Sequence, residues 1–208
     1  MTLFKPLQRA LPPRRQTISI FALGTVLFPG GVLPLKVFEE RYMDMTKECL
    51  KDDSVFGVCL IREGKETGPA AVPESIGCTA HITNWDMEQL GVLQVHALGE
   101  DRFRIIDSRI NAKGLIVAET ELIAPEDEVE VPAEFTGCKE LVRRVIESVG
   151  EEAFAPPYHY DSASWVGYRL SELLPIKVAT KQKLMELTDP LARLEVLSQF
   201  LVKQGWMR

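Results

Sequence analysis

The side chains of this chain that could do chemistry are few, and they are scattered. Cys78 and His81, in the run Cys78-Thr79-Ala80-His81, come closest to a metal-ligand pair. In a strand, residues three apart point to opposite faces, so these two do not converge on one ion. Nucleophilic catalysis needs a Ser or Cys beside a base that a third group orients. The three histidines are His81, His96 and His159, and the sequence pairs none of them with a nucleophile. His96 alternates with Leu93, Val95 and Ala97 and reads as a solvated strand residue. His159 sits in Pro156-Pro157-Tyr158-His159-Tyr160, an aromatic loop that suits either a contact surface or the seal of a helix junction. The carboxylate pairs Glu39-Glu40 and Glu151-Glu152 stand at helix ends or turns, where the dipole and solvation account for them. Arg102-Phe103-Arg104 is the one short segment mixing bases with an aromatic, and on a strand its arginines share a face opposite Phe103. There is no Gly-x-x-x-x-Gly-Lys-Ser/Thr, no Gly-x-Gly-x-x-Gly after a strand and no Gly-x-Ser-x-Gly. The expectation is a chain with no catalytic residues, no metal and no cofactor. An autonomous hydrolase would need a nucleophile that the sequence does not reveal.

The elements that must position these residues change character near residue 124. Before it the chain reads as strands: Thr17–Leu23, a short apolar stretch Val32–Phe38, Val55–Ile61, Ile76–Trp85, Val92–Leu98, Asp101–Ser108 and Leu115–Ile123. Pro34 fits an edge strand and not a central one. Gly99-Glu100 and Asn111–Gly114 mark bends, and Asp86–Gly91 reads as a hairpin loop. One helix, Glu39–Leu50, interrupts the strands, with Tyr42, Met45, Thr46, Cys49 and Leu50 on one face. After residue 124 the pattern is helical. Phe135–Val149 carries an apolar stripe that Gly150 ends, and Ser164–Leu174 stops at Pro175. Thr180 is expected to cap a third helix, and Asp189, followed by Pro190, a fourth. The organisation read from this is a basic tail (1–16), a β-rich part (17–124), an acidic solvated linker (125–134) and a helical part (135–208). The fold class is α+β, a small, strongly bent sheet or barrel followed by a helical bundle.

Bulk composition narrows the function classes. The chain has 208 residues, with 46% hydrophobic and 26% charged, an ordinary globular balance with no need of disulfide or metal to hold a core. Its net charge is -6, and residues 1–16 carry four bases and no acid, which leaves the remainder near -10. A protein that tracks phosphates usually carries the opposite balance. No run is long and apolar enough for a membrane span, and no secretory leader pattern opens the chain. Cys49, Cys59, Cys78 and Cys138 lie singly, with no Cys-x-x-Cys, which points to reduced thiols and a cytoplasmic location.

One segment is too specific to be generic. The run Leu27-Phe28-Pro29-Gly30-Gly31-Val32-Leu33-Pro34-Leu35-Lys36-Val37-Phe38-Glu39-Glu40-Arg41-Tyr42 closely resembles the opening signature of the Lon protease N-terminal domain. Phe56-Gly57-Val58, Ile76-Gly77-Cys78-Thr79-Ala80-His81-Ile82 and Leu98-Gly99-Glu100-Asp101-Arg102-Phe103-Arg104-Ile105 are similar to further segments of that family, in order. Leu174-Pro175, Lys181–Leu187 and Arg193–Leu197 extend the likeness through the helical half. The resemblance implies a PUA-like β-barrel followed by a helical bundle, in a region that recognises unfolded or tagged proteins and helps assemble a ring. The motor and the Ser-Lys dyad of such proteases are not among the motifs here, so no enzymatic activity is expected.

Physical roles follow for the signature residues. Phe28, Pro29 and Gly30 form a turn that needs glycine for positive φ, with Phe28 expected to plug the barrel. Glu39 and Arg41 are expected to pair where strand becomes helix, beside Tyr42, and Arg102 beside Phe103 to find a partner of its own. The leading function is a noncatalytic module that binds unfolded or client polypeptides, or an adaptor in ATP-dependent proteolysis to a protease on another chain. Homo-oligomers are left open and no membrane is involved. Its candidate contacts are Trp85 and Met87 at the hairpin and Tyr158 and Tyr160 near the junction of the two halves. The alternative is an RNA-binding PUA-like protein, which only the basic tail and Arg102/Arg104 support.

Overall fold

Alternating apolar residues at the start of the described chain are buried on both faces. Strand β1 (Arg15–Leu23) turns Ile18, Ile20 and Ala22 to one side and Phe21 and Leu23 to the other, the period-two consequence of an extended backbone. The computed structural model describes residues 14–150 and 154–207. The basic tail before Arg14 and the pair Glu151-Glu152 therefore lie outside the described residues. Arg15 and Gln16 already belong to β1.

The other strands are β2 (Val32–Val37), β3 (Phe56–Glu63), β4 (Val72–Pro73), β5 (Ile76–Gln89), β6 (Val92–Ile110) and β7 (Ile116–Leu122). Among the described residues they make one seven-stranded sheet in which pairing runs β1-β7-β6-β5-β3-β4. β1 also pairs with β3 in parallel, Ile20 to Leu23 against Gly57 to Leu60. The pairings of β1, β7, β6, β5 and β3 thus run in a closed circuit. β2 lies off that circuit, antiparallel to the first half of β6. Pro34 sits on it, where an edge strand tolerates a missing donor.

The segment expected to be two strands separated at Gly99-Glu100 is the single 19-residue β6. The bend is taken up without breaking the ladder. Ala80 faces Gly99 while Cys78 faces Arg102, so β6 carries an extra residue there, a β-bulge. Gly99 is required at that point, since a Cβ would lie 2.3 Å from the carbonyl oxygen of Phe28. The hairpin is also tighter than expected: β5 runs on to Gln89, leaving Leu90-Gly91 as the turn.

Two apolar clusters fill the molecule. The smaller gathers Ile18, Ile20, Ala22, Cys59, Phe103, Ile116 and Ala118. Phe103 fits there because Gly57 and Gly77 have no side chains: a Cβ on either would come within 2.7 Å of its ring. The larger cluster lies between the sheet and five α-helices and includes residues from both halves of the chain. α1 (Glu40–Asp52) buries Tyr42, Met45, Thr46 and Cys49, and Tyr42 stacks on Phe21 with ring centroids 3.9 Å apart. A 3₁₀ turn (Ala133–Phe135) leads into α2 (Thr136–Val149), which Gly150 closes at positive φ. α3 (Ala163–Leu173) is capped by Ser162, and α5 (Pro190–Lys203) by Asp189, whose Oδ1 accepts from the Leu191 amide at 2.8 Å.

α4 (Val178–Glu186) departs from expectation. Thr180 lies inside it, and its amide donates to the carbonyl of Lys177, the residue at the cap position. Pro175 ends α3 and the chain re-enters helix within two residues, with no side-chain cap.

The glycines around Phe103 give a direct test. Gly77→Ala would place its Cβ 2.4 Å from the Val58 carbonyl oxygen. Overpacking of this kind costs about 1–3 kcal/mol. In a domain of this size each kcal/mol lowers Tm by about 2–4 °C. Thermal denaturation should show that loss, and an unchanged melting midpoint would contradict the packing described.

Candidate functional site

The Phe28–Gly31 turn is held from across the molecule. Gly30 adopts φ 72°, which glycine tolerates at no steric cost. The Arg169 guanidinium on α3 donates through Nη1 to the Gly30 carbonyl and through Nη2 to the Pro29 carbonyl at 2.8 Å. Arg169 Nη2 also meets Glu172 at 3.0 Å. Phe28 is buried, but not where expected. Its ring lies 5.8 Å from that of Tyr168 on α3, in the cluster between sheet and helices. The smaller cluster among the strands is filled by Phe103 instead. Arg169 draws the turn towards α3 and carries Phe28 with it.

Buried Arg41 and Arg102 each meet a carboxylate and a backbone carbonyl. Arg41 Nη2 donates to Glu39 at 3.0 Å and Nη1 to the Gly114 carbonyl at 3.0 Å, which ties the start of α1 to the β6–β7 turn. Arg102 Nη2 lies 3.1 Å from Glu126, and its Nη1 donates to the Met185 carbonyl at 2.9 Å. Arg102 and Arg104 alternate with Phe103 in the β5–β6 register, but the helical half covers Arg102 and leaves Arg104 open. Arg102 and Phe103 are both buried and only Arg104 is exposed. Arg102 is therefore withdrawn from any phosphate contact.

Glu126 is the residue the sequence hides. The stretch 125–134 reads as solvated, and Asp127, Glu128, Glu130 and Glu134 are indeed exposed. The Glu126 side chain is only 3% exposed. It accepts from both Arg193 Nη groups, the Nη1 bond being 2.9 Å, from Ser164 Oγ at 2.6 Å and from Tyr168 Oη at 2.7 Å. Burial alone would raise its pKa, but the hydrogen bonds of Arg193, Ser164 and Tyr168 and the Arg193 charge outweigh it and hold the carboxyl below its ordinary value. Arg193 also donates to the Leu184 and Leu187 carbonyls at 2.9 and 2.7 Å, and its guanidinium lies over the Tyr168 ring at 4.1 Å. With Arg102 it satisfies the carbonyls that the end of α4 leaves without intrahelical donors. The one sequence signal for Arg169 and Arg193 is that each interrupts an apolar helix face. Glu126 has none within a run of acids.

Half-buried Glu172 behaves oppositely. Burial pushes its carboxyl up to about 7, against the pull of the Arg169 and Lys181 charges. Lys181 Nζ donates to the Glu172 backbone carbonyl at 2.7 Å.

The four candidate contact residues fall in two places. Trp85 and Met87 lie near the tip of the β5–β6 hairpin, exposed beside Leu90, which is 95% exposed. Tyr158 and Tyr160 lie in the α2–α3 connection and are half-buried. Their rings pack against each other at 5.9 Å and against Trp165 at 6.2 and 5.3 Å, and Arg143 lies over Tyr160. They line a cleft of about 730 Å³ with His159 and Asp161.

The thiols are free and buried, and burial pushes Cys59 and Cys78 well up, and Cys138 up to about 11, which suppresses thiolate. His81 Nε2 lies 3.0 Å from Asp53 on the surface, and among the described residues no cluster of His, Cys, Asp and Glu could hold a metal ion.

This architecture has known relatives. The family model for the ATP-dependent protease La (LON) substrate-binding domain matches residues 17–203. The chain belongs to that family. A crystal structure of a Lon N-terminal domain protein from Xanthomonas campestris superposes with a TM-score of 0.74 at 33% identity, covering 93% of this chain and 99% of that one. The N-terminal domain of a Mycobacterium avium complex Lon protease shares the fold, with a TM-score of 0.58 at 17% identity over 88% of this chain and 96% of that one. Lon protease 2 of Myxococcus xanthus is 29% identical over 89% of this chain, and the match spans 23% of that protein's length.

Removing the Glu126 charge tests the buried network. Glu126→Gln leaves two arginines without their counter-charge, and breaking a buried pair costs about 3–5 kcal/mol. A carboxyl held below its ordinary value contributes stability that is present above the unfolded value and lost as pH falls through the folded one. Glu172 works the other way: folding favours its protonated form, so it returns stability as pH falls from about 7. Urea unfolding at a series of pH values should therefore show wild type and Glu126→Gln far apart at neutral pH and converging below the ordinary carboxylate range. A constant gap across that range would mean Glu126 is not the charged partner.

Proposed function

We propose that this domain is a noncatalytic binding module for unfolded or client polypeptides, acting alone or as an adaptor to a protease on another chain. The observation that carries the reading is the match, over residues 17–203, to a family described as substrate-binding. An exposed apolar hairpin tip, with Trp85 at 53% and Leu90 at 95% exposure, supports it, because bare apolar groups in a cluster suit a partner. In this reading the closed circuit of strands is the PUA-like barrel and α2 to α5 the helical bundle. The linker between them is 125–134, and Trp85, Met87, Tyr158 and Tyr160 contact the client. Free buried cysteines support a reducing, cytoplasmic setting. Among the described residues no helix is long and apolar enough to cross a membrane.

The test is fluorescence anisotropy with a reduced, alkylated and therefore permanently unfolded polypeptide. Saturable binding at micromolar protein is expected, and Trp85→Ala should weaken it about tenfold, the scale of an aromatic anchor. Absence of saturable binding, or no effect of any of the four substitutions to alanine, would reject the module or its contact residues respectively.

A further inference from the structure

Among the described residues, the register of β2 leaves one strand edge without a partner beside a cleft. The Gly99 amide donates to the Gly31 carbonyl, which fixes the phase of the antiparallel ladder. Counting on from there, Leu33, Leu35 and Val37 face Ala97, Val95 and Leu93 as hydrogen-bonded pairs. The backbone groups of Val32, Pro34 and Lys36 point the other way. Pro34, which has no N–H to give, therefore falls at an outward position and costs the ladder nothing. The outward row is Val32 N–H and C=O, Pro34 C=O, and Lys36 N–H and C=O.

A cleft of about 330 Å³ runs along that edge. Every residue from 33 to 38 lines it, consecutive and not alternate ones, as happens when a strand is met edge-on. Its floor is Phe21, Leu23, Leu35, Val37 and Tyr42, all buried apolar side chains, and Phe38 stands 57% exposed at its end. The far wall is the C-terminal end of β1. β7 pairs with β1 only from Arg15 to Ile20, so from Phe21 onwards β1 has β3 on one side and the cleft on the other. Two strand edges thus bound an apolar slot. The charged residues at its mouth are Glu39, Glu66 and Lys36, and Glu39 is already paired with Arg41.

We infer that an extended polypeptide segment binds in this slot by strand addition to β2, with apolar side chains at alternate positions on the floor and basic residues flanking them. This rests on the substrate-binding reading and names where and how that binding occurs. Alternating backbone donors and acceptors along an apolar trough are matched by another extended chain, which supplies the same groups at the same spacing. Pro34 and Lys36 are residues that discourage pairing with a whole sheet. They leave room for a single chain whose register places no acceptor opposite Pro34. Glu66, which accepts from the Gly24 amide and pairs with no cation among the described residues, favours lysine or arginine over acid in the flank beside it.

The probe is a fluorescent peptide of about ten residues, alternating leucine and threonine with a lysine at each end. Saturable binding to the full chain is expected, with weaker binding of the same peptide flanked by glutamates. N-methylation of every second amide in one phase should weaken binding about tenfold by removing the donors that face β2, and in the other phase should weaken it less. Lys36→Pro, which deletes an outward donor that the β6 ladder does not use, should weaken it similarly, while Lys36→Ala keeps that donor and should retain most of the binding. Equal affinity for parent and both methylated peptides overturns the inference, whether or not Lys36→Pro folds. If the unfolded polypeptide binds wild type and a normally melting Lys36→Pro equally, the slot is wrong and the binding function stands. If it binds neither, the binding function itself fails and the slot with it.

Discussion

Burying the Glu126 carboxylate obliges the surrounding elements to come to it. A charge removed from water is tolerated only when paired and fully hydrogen-bonded. The groups that meet this demand come from β6 (Arg102), α3 (Ser164 and Tyr168) and α5 (Arg193). The same two arginines reach the last carbonyls of α4, so that helix is fixed by the same charges. Apolar packing would let these helices slide over the sheet with little change in buried area. A carboxylate that accepts from Ser164, Tyr168 and both Arg193 Nη groups, with Arg102 in ion-pair contact, does not. The segment that leaves the sheet after β7 is therefore anchored at its second residue past Ala124, and the orientation of the helical half follows from that point.

The same economy of cations shapes the outside. Arg41, Arg102, Arg169 and Arg193 are all buried, and each is engaged with backbone carbonyls or an internal carboxylate. Among the described residues only one acid, Glu126, is comparably enclosed. The surface is thus more acidic than the formal charge of -6 suggests. Such a surface disfavours contact with a phosphate backbone.

What the sequence makes legible is whatever is encoded locally. Asp189-Pro190 opens a helix, Gly150 closes one, and Pro34 marks an edge, because each acts on its own backbone. Gly99-Glu100 shows that a bend is needed but not that a bulge supplies it. That outcome depends on the register of β5 and on the Phe28 carbonyl that passes over Gly99. Thr180 has the right chemistry for a cap and sits one turn too late, since Pro175 sets where the chain can turn. Phe28 lies between sheet and helices, beside Tyr168, where Arg169, more than a hundred residues away, holds its turn against α3. Glu126 looks like its acidic neighbours and differs only in what arrives around it. The family motif draws attention to Glu39, Arg41 and Arg102, of which Arg41 pairs with Glu39 and Arg102 with Glu126.

The closed circuit of strands also orders events in time. β1 is synthesised early, yet one of its two neighbours is β7, with Arg15 opposite Glu121. Until that distant strand has left the ribosome, the faces bearing Ile20 and Phe21 have no complete enclosure, and the nascent chain carries an open apolar edge for the time taken to translate about a hundred further residues. Closing so long a loop is paid in entropy before any contact rewards it, which makes ring closure a late and slow step. The domain must itself pass through such a state, presenting for a while an unpaired apolar strand of its own.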